Sequence, residues 1–184
     1  MNNIIKTALI IFGVVILLFI SIKAFTNNNS EIFKITSGVT ARERLLTAAT
    51  LTVPDTDVVV TLTKKVTEFG NINNRKEPFG TITVGKQVKY INDSNIVAIT
   101  WLNTGGSGDL AYLTVFNPGE DSWQMADMKF IGDRIDIKDM QVSNDTIVVN
   151  YKEHGKDQAM AEEPKVSVTK TYIYKDQKLA EDKT

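Results

Sequence analysis

From Val53 onward the chain is a succession of short runs rich in β-branched and aromatic residues, broken by clusters of Gly, Asn, Asp and Pro. Runs of this kind read as strands, and nearly all the regular structure must be built from them. The expected strands are Val58–Thr63, Thr81–Ile91, Ile96–Leu102, Leu110–Phe116, Met125–Phe130, Ile135–Val142, Thr146–Tyr151 and Val166–Tyr174. In "VSVTKTYIY" the residues Val166, Val168, Lys170, Tyr172 and Tyr174 share one face, the alternation of a half-exposed antiparallel strand. In "IDIKDMQV" the apolar phase runs through Ile135 and Ile137, then slips at Lys138-Asp139 to Met140 and Val142. A slip of one residue inside a strand marks a β-bulge. "SND", between Val142 and Thr146, fits a tight hairpin turn. Ahead of the strands, Ala41 to Ala49 is rich in helix formers, and Thr40 with Glu43 fits a capping box. The fold class is therefore mainly β: an antiparallel β-rich domain, either a sandwich or a curved sheet, with one short helix, spanning residues 38–184.

The N-terminus obeys a different rule. Ile4 to Phe25 carries only Lys6 and Lys23 as charges, one near each end. As a helix the segment would measure roughly 33 Å, enough to cross a hydrocarbon core of about 30 Å. It reads as a single transmembrane signal anchor over residues 1–25, with the lipid bilayer as partner of residues 4–25 and residues 26–37 as a polar linker. The α-amino group and Lys6 precede the span, which points the N-terminus to the cytoplasm and the remainder outside the cell membrane. The alternative is secretion after cleavage near Ala24, although Ile22 is a poor residue at such a site.

Composition narrows the chemistry. The chain has 184 residues, a formal net charge of -1 and no cysteine. That excludes disulfides, thiolate metal sites and cysteine nucleophiles, and offers nothing that would draw the domain to nucleic acid. No cofactor or metal is expected. The most site-like stretch is "NTGGSGDLAYLTVF", with Gly105, Gly106, Ser107 and Gly108. A phosphate loop needs Lys and Ser or Thr after its last glycine, then a helix. Here Asp109 and a strand follow, so the stretch reads as a glycine turn between two strands. His154 is the one histidine, and neither Ser107 nor Ser122 stands in a nucleophile elbow. "GDR" offers Arg134 a carboxylate partner, expected as a structural clamp between strands.

The segments "NTGGSGDLAYLTVF", "FIGDRIDIKDMQV" and "EHGKDQAMAEEPKVSVTKTYIY" follow one another in an order that resembles an uncharacterised group of exported bacterial domains. The resemblance covers residues 98–181. It departs from one branch of that group at Ala161, Glu162 and Glu163, where that branch has a cysteine pair, and "YINDSNIVAIT" lacks the Asp- and Gly-rich stretch of many members. The resemblance implies an extracytoplasmic location and no known activity. It gathers on Gly106, Asp133, Arg134, His154, Met160 and Pro164, which with the rest of the glycine loop are the candidate binding residues; none is expected to be catalytic. The function expected is a non-enzymatic binding or structural module at the cell surface, acting on an envelope protein or a cell-wall glycan. The alternatives are an envelope-polymer hydrolase, with Glu153 or Asp133 as acid–base and His154 assisting, and an accessory subunit of a membrane complex.

Overall fold

A computed structural model describes residues 40–70, 79–92 and 94–183. The segment read as a signal anchor, residues 1–25, lies outside them, as does the linker. Among the described residues no helix is long and apolar enough to cross a membrane. From Ala41 onward the described residues form one compact unit.

The unit is mainly β with one short helix. Helix α1 (Ala41–Ala48) is followed by β1 (Ala49–Thr52), β2 (Val59–Leu62), β3 (Val66–Phe69), β4 (Gly80–Ile91), β5 (Asn95–Asn103) and β6 (Leu110–Pro118). Then come β7 (Trp123–Asp133), β8 (Asp136–Ser143), β9 (Thr146–Glu153), β10 (Val166–Lys175) and β11 (Lys178–Asp182). One sheet has seven strands in the order β2-β1-β7-β6-β5-β4-β3, and the other is a four-stranded meander, β11-β10-β9-β8. Every pairing is antiparallel except β1 with β7, which are parallel. That exception arises because β1 enters directly from α1 and docks on a strand far along the chain. The seven-stranded sheet curves until it is nearly closed. Its two edge strands are consecutive in sequence: β2 runs into β3 through Thr63, Lys64 and Lys65, so the chain itself carries the sheet from one edge to the other.

Curvature gives the molecule two cores. Inside the curved sheet, Leu45 of α1 lies among Leu51, Leu62, Val84, Ile96, Ala98 and Phe116. On its outer face, Val97, Ile99, Leu113 and Val115 meet Met140, Ile147, Val149, Tyr151 and Tyr172 of the four-stranded sheet. Strand β5 is therefore buried on both faces, and its residues alternate between the two cores rather than between core and water. At the polar point of the inner layer, the hydroxyls of Thr100 and Thr114 share a buried hydrogen bond of 2.7 Å, which satisfies both.

Two bulges lie in β7 opposite β6, between Phe130 and Gly132 and between Met125 and Asp127, and two more, in β8 and β4, matter most here. In β8 one extra residue stands between Ile137 and Asp139, opposite Tyr151 and Asn150, where the sequence phase slips. The β8–β9 hairpin then turns at Asn144 and Asp145, with Asn144 at φ 51°. In β4, Val84 faces Thr100 and Val88 faces Ala98, so four steps on β4 oppose two on β5 and β4 holds two extra residues.

Candidate functional site

The larger bulge builds the site. Gly85, Lys86 and Gln87 leave the ladder with β5, and the backbone there folds tightly onto its neighbour. A Cβ on Gly85 would stand 2.9 Å from the carbonyl oxygen of Ile99, closer than side-chain carbons approach. A bulge frees backbone acceptors, and α1 supplies the donor they need. Arg42 donates from Nε to the Gly85 carbonyl at 3.0 Å and from Nη2 to the Val84 carbonyl at 3.3 Å. These are charge-assisted bonds from a half-buried guanidinium, so the bulge is held from the core side.

Outside it lies an open cleft of 430 Å³. It is lined by the partly exposed Trp101 of β5 and by Lys86 and Gln87 from the bulge. Lys65 comes from the β2–β3 connection, Asp109 from the end of the glycine loop, and Ile135, Asp136 and Ile137 from the start of β8. Asp136 is also ion-paired with Lys138. Partial burial, and then the neighbouring charge of Asp133, push the Asp109 carboxyl above its ordinary value of 3.8. The lining combines one indole and aliphatic side chains with two ammonium groups, an amide and two carboxylates. It offers donors and acceptors of both signs beside apolar surface.

No protein-family model, no curated protein and no solved structure matches the chain.

Hydrogen bonds divide the residues singled out from sequence into two groups. In the first, Asn103 organises the glycine loop: its Oδ1 accepts from the Gly105 N–H at 2.8 Å, and its Nδ2 donates to the Gly108 carbonyl at 2.9 Å. Gly105 has φ +81°, and a Cβ there would stand 2.5 Å from the ring of Phe79, so both its dihedral and its surroundings require glycine. Gly106 has nothing within 4 Å of where its Cβ would be. Asp133 joins this group by accepting from the Asp109 N–H at 2.9 Å. Arg134 donates to the other Asp133 oxygen from Nε at 3.2 Å and Nη2 at 3.0 Å, and its backbone N–H donates to the Asp109 carbonyl at 2.9 Å. Asp133 thus makes the side-chain link to the start of β6, and Arg134, at φ 48°, steadies the carboxylate that does so.

The second group is the loop from His154 to Lys165. His154 donates from Nε2 to the Glu162 carbonyl at 2.9 Å, while its Nδ1 is buried without a partner. Gln158 accepts from the Gly155 N–H at 3.2 Å and donates to the Glu163 carbonyl. Lys165 pairs with Glu162 at 2.7 Å and holds that exposed carboxyl below its ordinary range. Met160 stands exposed at the rim of this loop and Pro164 is half-buried within it. Neither Glu153 nor His154 lines the Trp101 cleft, and nor do Asp133 or Arg134. Among the described residues no three His, Asp or Glu side chains gather as a metal site.

Sequence reasoning passed over Trp101, Lys65, Lys86 and Gln87. One signal for them existed: the lone Gly85 inside the strand pattern "TITVGKQVKYI", the mark of a bulge or a close backbone approach.

Proposed function

We propose that this chain is a membrane-anchored, non-enzymatic binding module whose domain of residues 38–184 faces the outside of the cell and takes its ligand in the Trp101 cleft. The ligand is an envelope protein or a cell-wall glycan. One observation carries the reading: a bulge secured from behind by Arg42 holds two polar side chains beside a half-exposed tryptophan in an open cleft. Bulges next to ligand sites re-aim side chains in this way, and the two glycine and arginine devices that support this one have no part in the ladder itself. The apolar run of residues 4–25 and the resemblance of residues 98–181 to exported bacterial domains support the placement outside the membrane.

The test uses the full-length chain in producing cells, with a photo-cross-linking amino acid in place of Gln87. A discrete adduct with an envelope component, lost when Trp101→Ala is added, is the expected result. Absence of any adduct overturns the reading.

A second reading draws on Asp109. A carboxyl pushed upward at the rim of a cleft that also holds Asp136 is what an acid catalyst requires, and favours an envelope-polymer hydrolase with these two residues in place of Glu153 and Asp133. Release of soluble fragments from purified cell wall by the full-length chain, abolished in Asp109→Asn, would establish that reading against the non-enzymatic one.

A further inference from the structure

We infer that the Trp101 cleft binds a saccharide chain. The inference rests on the binding reading above and names the class of its ligand. A pyranose has an apolar face of C–H groups and an equator of hydroxyls, each both donor and acceptor. The C–H face suits the electron-rich face of an indole, which prefers electropositive hydrogens over it. Trp101 lines the cleft and is partly exposed, whereas Trp123, the chain's other tryptophan, is 8% exposed inside the curved sheet. Around Trp101 stand groups that match hydroxyls in both senses: the Asp109 and Asp136 carboxylates accept, the Lys65 and Lys86 ammonium groups donate, and the Gln87 amide does both.

Charge decides against the other ligand classes. Cations and anions both line the cleft, and Asp136 is further paired with Lys138. Charges of mixed sign give it no single-signed field to draw a phosphate backbone or a strongly charged peptide. An uncharged polyhydroxyl ligand uses all of these groups without an unpaired charge being buried. A volume of 430 Å³ falls in the range of about 300–1,000 Å³ typical of small-ligand clefts, and its open form admits a unit in the middle of a longer chain.

The experiment is a fluorescence titration of the full-length chain in detergent micelles, with tetrasaccharides of N-acetylglucosamine, glucose, mannose and galactose up to about 10 mM. At least one should shift the indole emission to the blue with saturation. The response should survive Trp123→Phe, vanish in Trp101→Phe, and require about tenfold more saccharide in Gln87→Ala. Gln87→Ala matters because it alters a half-exposed side chain and leaves both cores intact. Absence of a response to all four sugars overturns the inference, as does a response that persists in Trp101→Phe. If the Gln87 cross-linker captures a protein while no tetrasaccharide shifts the emission, the saccharide assignment falls and the binding module stands. If both fail, both fall.

Discussion

Two of the glycine-bearing irregularities in this sheet, the Asn103–Asp109 loop and the β4 bulge, are built to opposite ends. The loop from Asn103 to Asp109 is conspicuous in sequence, and its polar groups turn inward: the Asn103 side chain closes it on Gly105 and Gly108, and Asp133 fastens its end. The bulge at Gly85–Gln87 is inconspicuous, and its polar groups are divided. Its carbonyls go to Arg42 behind, and its side chains go to the cleft in front. The loop's polar groups are largely spent on holding its own shape, although Asn103 and Gly105 also border a separate cleft with Phe69 and Phe79. The bulge spends its carbonyls on one side and turns its side chains to the other. Where the hydrogen bonds go separates the two more sharply than how many glycines they contain.

The largest break in this comparison is expected from Gly105→Ala. Its φ of +81° and the Phe79 ring at 2.5 Å impose strain and a clash together. The cost should be about 2–3 kcal/mol, or roughly 5–10 °C in melting temperature for a domain of this size. Saccharide titration should be unchanged in the variant. Gly106→Ala, one position on in open space, is the internal control and should stay within about 0.5 kcal/mol of the parent. Equal losses at the two positions would show that the loop is not held as described.

Gly85→Ala should cost somewhat less, about 2 kcal/mol, because the contact with the Ile99 carbonyl at 2.9 Å forces a backbone shift at a single point with no left-handed dihedral to strain. Here the loss of affinity for the saccharide should exceed the loss of stability in importance, with at least tenfold weaker binding as Lys86 and Gln87 move from Trp101. Calorimetric melting and the fluorescence titration measured on one sample separate the two effects. Retained affinity in a destabilised Gly85→Ala would detach the bulge from the site.

The bulges of β4 and β8 also show what a sequence can reveal. One extra residue in β8 shifts every later side chain to the other face, so the slip from Ile137 to Met140 was legible. Two extra residues in β4 restore the phase: Ile82, Val84 and Val88 all reach the inner core, and the strand reads as unbroken. All eight expected strands and the helix are present, since each carries a run of strand or helix formers long enough to declare itself. The strands β1, β3 and β11 were not expected. β1 continues α1 without a breaker, and β3 and β11 are four- and five-residue segments mixed with charges, too short to declare themselves and held by pairing with their sequence neighbours β4 and β10. The cleft was illegible for another reason. Lys65, Trp101, Asp109 and Asp136 come from four separate elements, and only the curvature of one sheet and the docking of the other bring them together.

Arg42→Ala tests the support of the bulge at smaller cost. Its loss takes a donor from the carbonyls of Gly85 and of Val84, which is shielded from solvent, so about 1–2 kcal/mol is expected, with affinity reduced several-fold. Arg42→Lys should not restore the affinity, because a single ammonium does not reproduce the fork that meets Val84 and Gly85 together.

The smallest effect is electrostatic and depends on pH. Burial and Asp133 raise Asp109 in the folded state above 3.8, so the folded chain keeps a proton in the window just above that value after the unfolded chain has lost it. Stability attributable to Asp109 is therefore present at low pH and lost as pH rises through the window. Above it, the ionised carboxylate is a fixed burden on the fold. Asp109→Asn removes the burden, and the variant should melt about 1–2 °C higher than the parent at neutral pH, a modest figure because the group is largely open to solvent. The gap should close as pH falls below 3.8, where the parent carboxyl is protonated in both states. A gap that stays constant across the series would place its origin in packing rather than in charge. Because Asp109 joins the glycine loop to the rim of the cleft, the same variant should also bind saccharide more weakly at every pH at which the parent is ionised. Stability would then rise while affinity falls, the pattern expected of a carboxylate kept for a ligand and not for the fold.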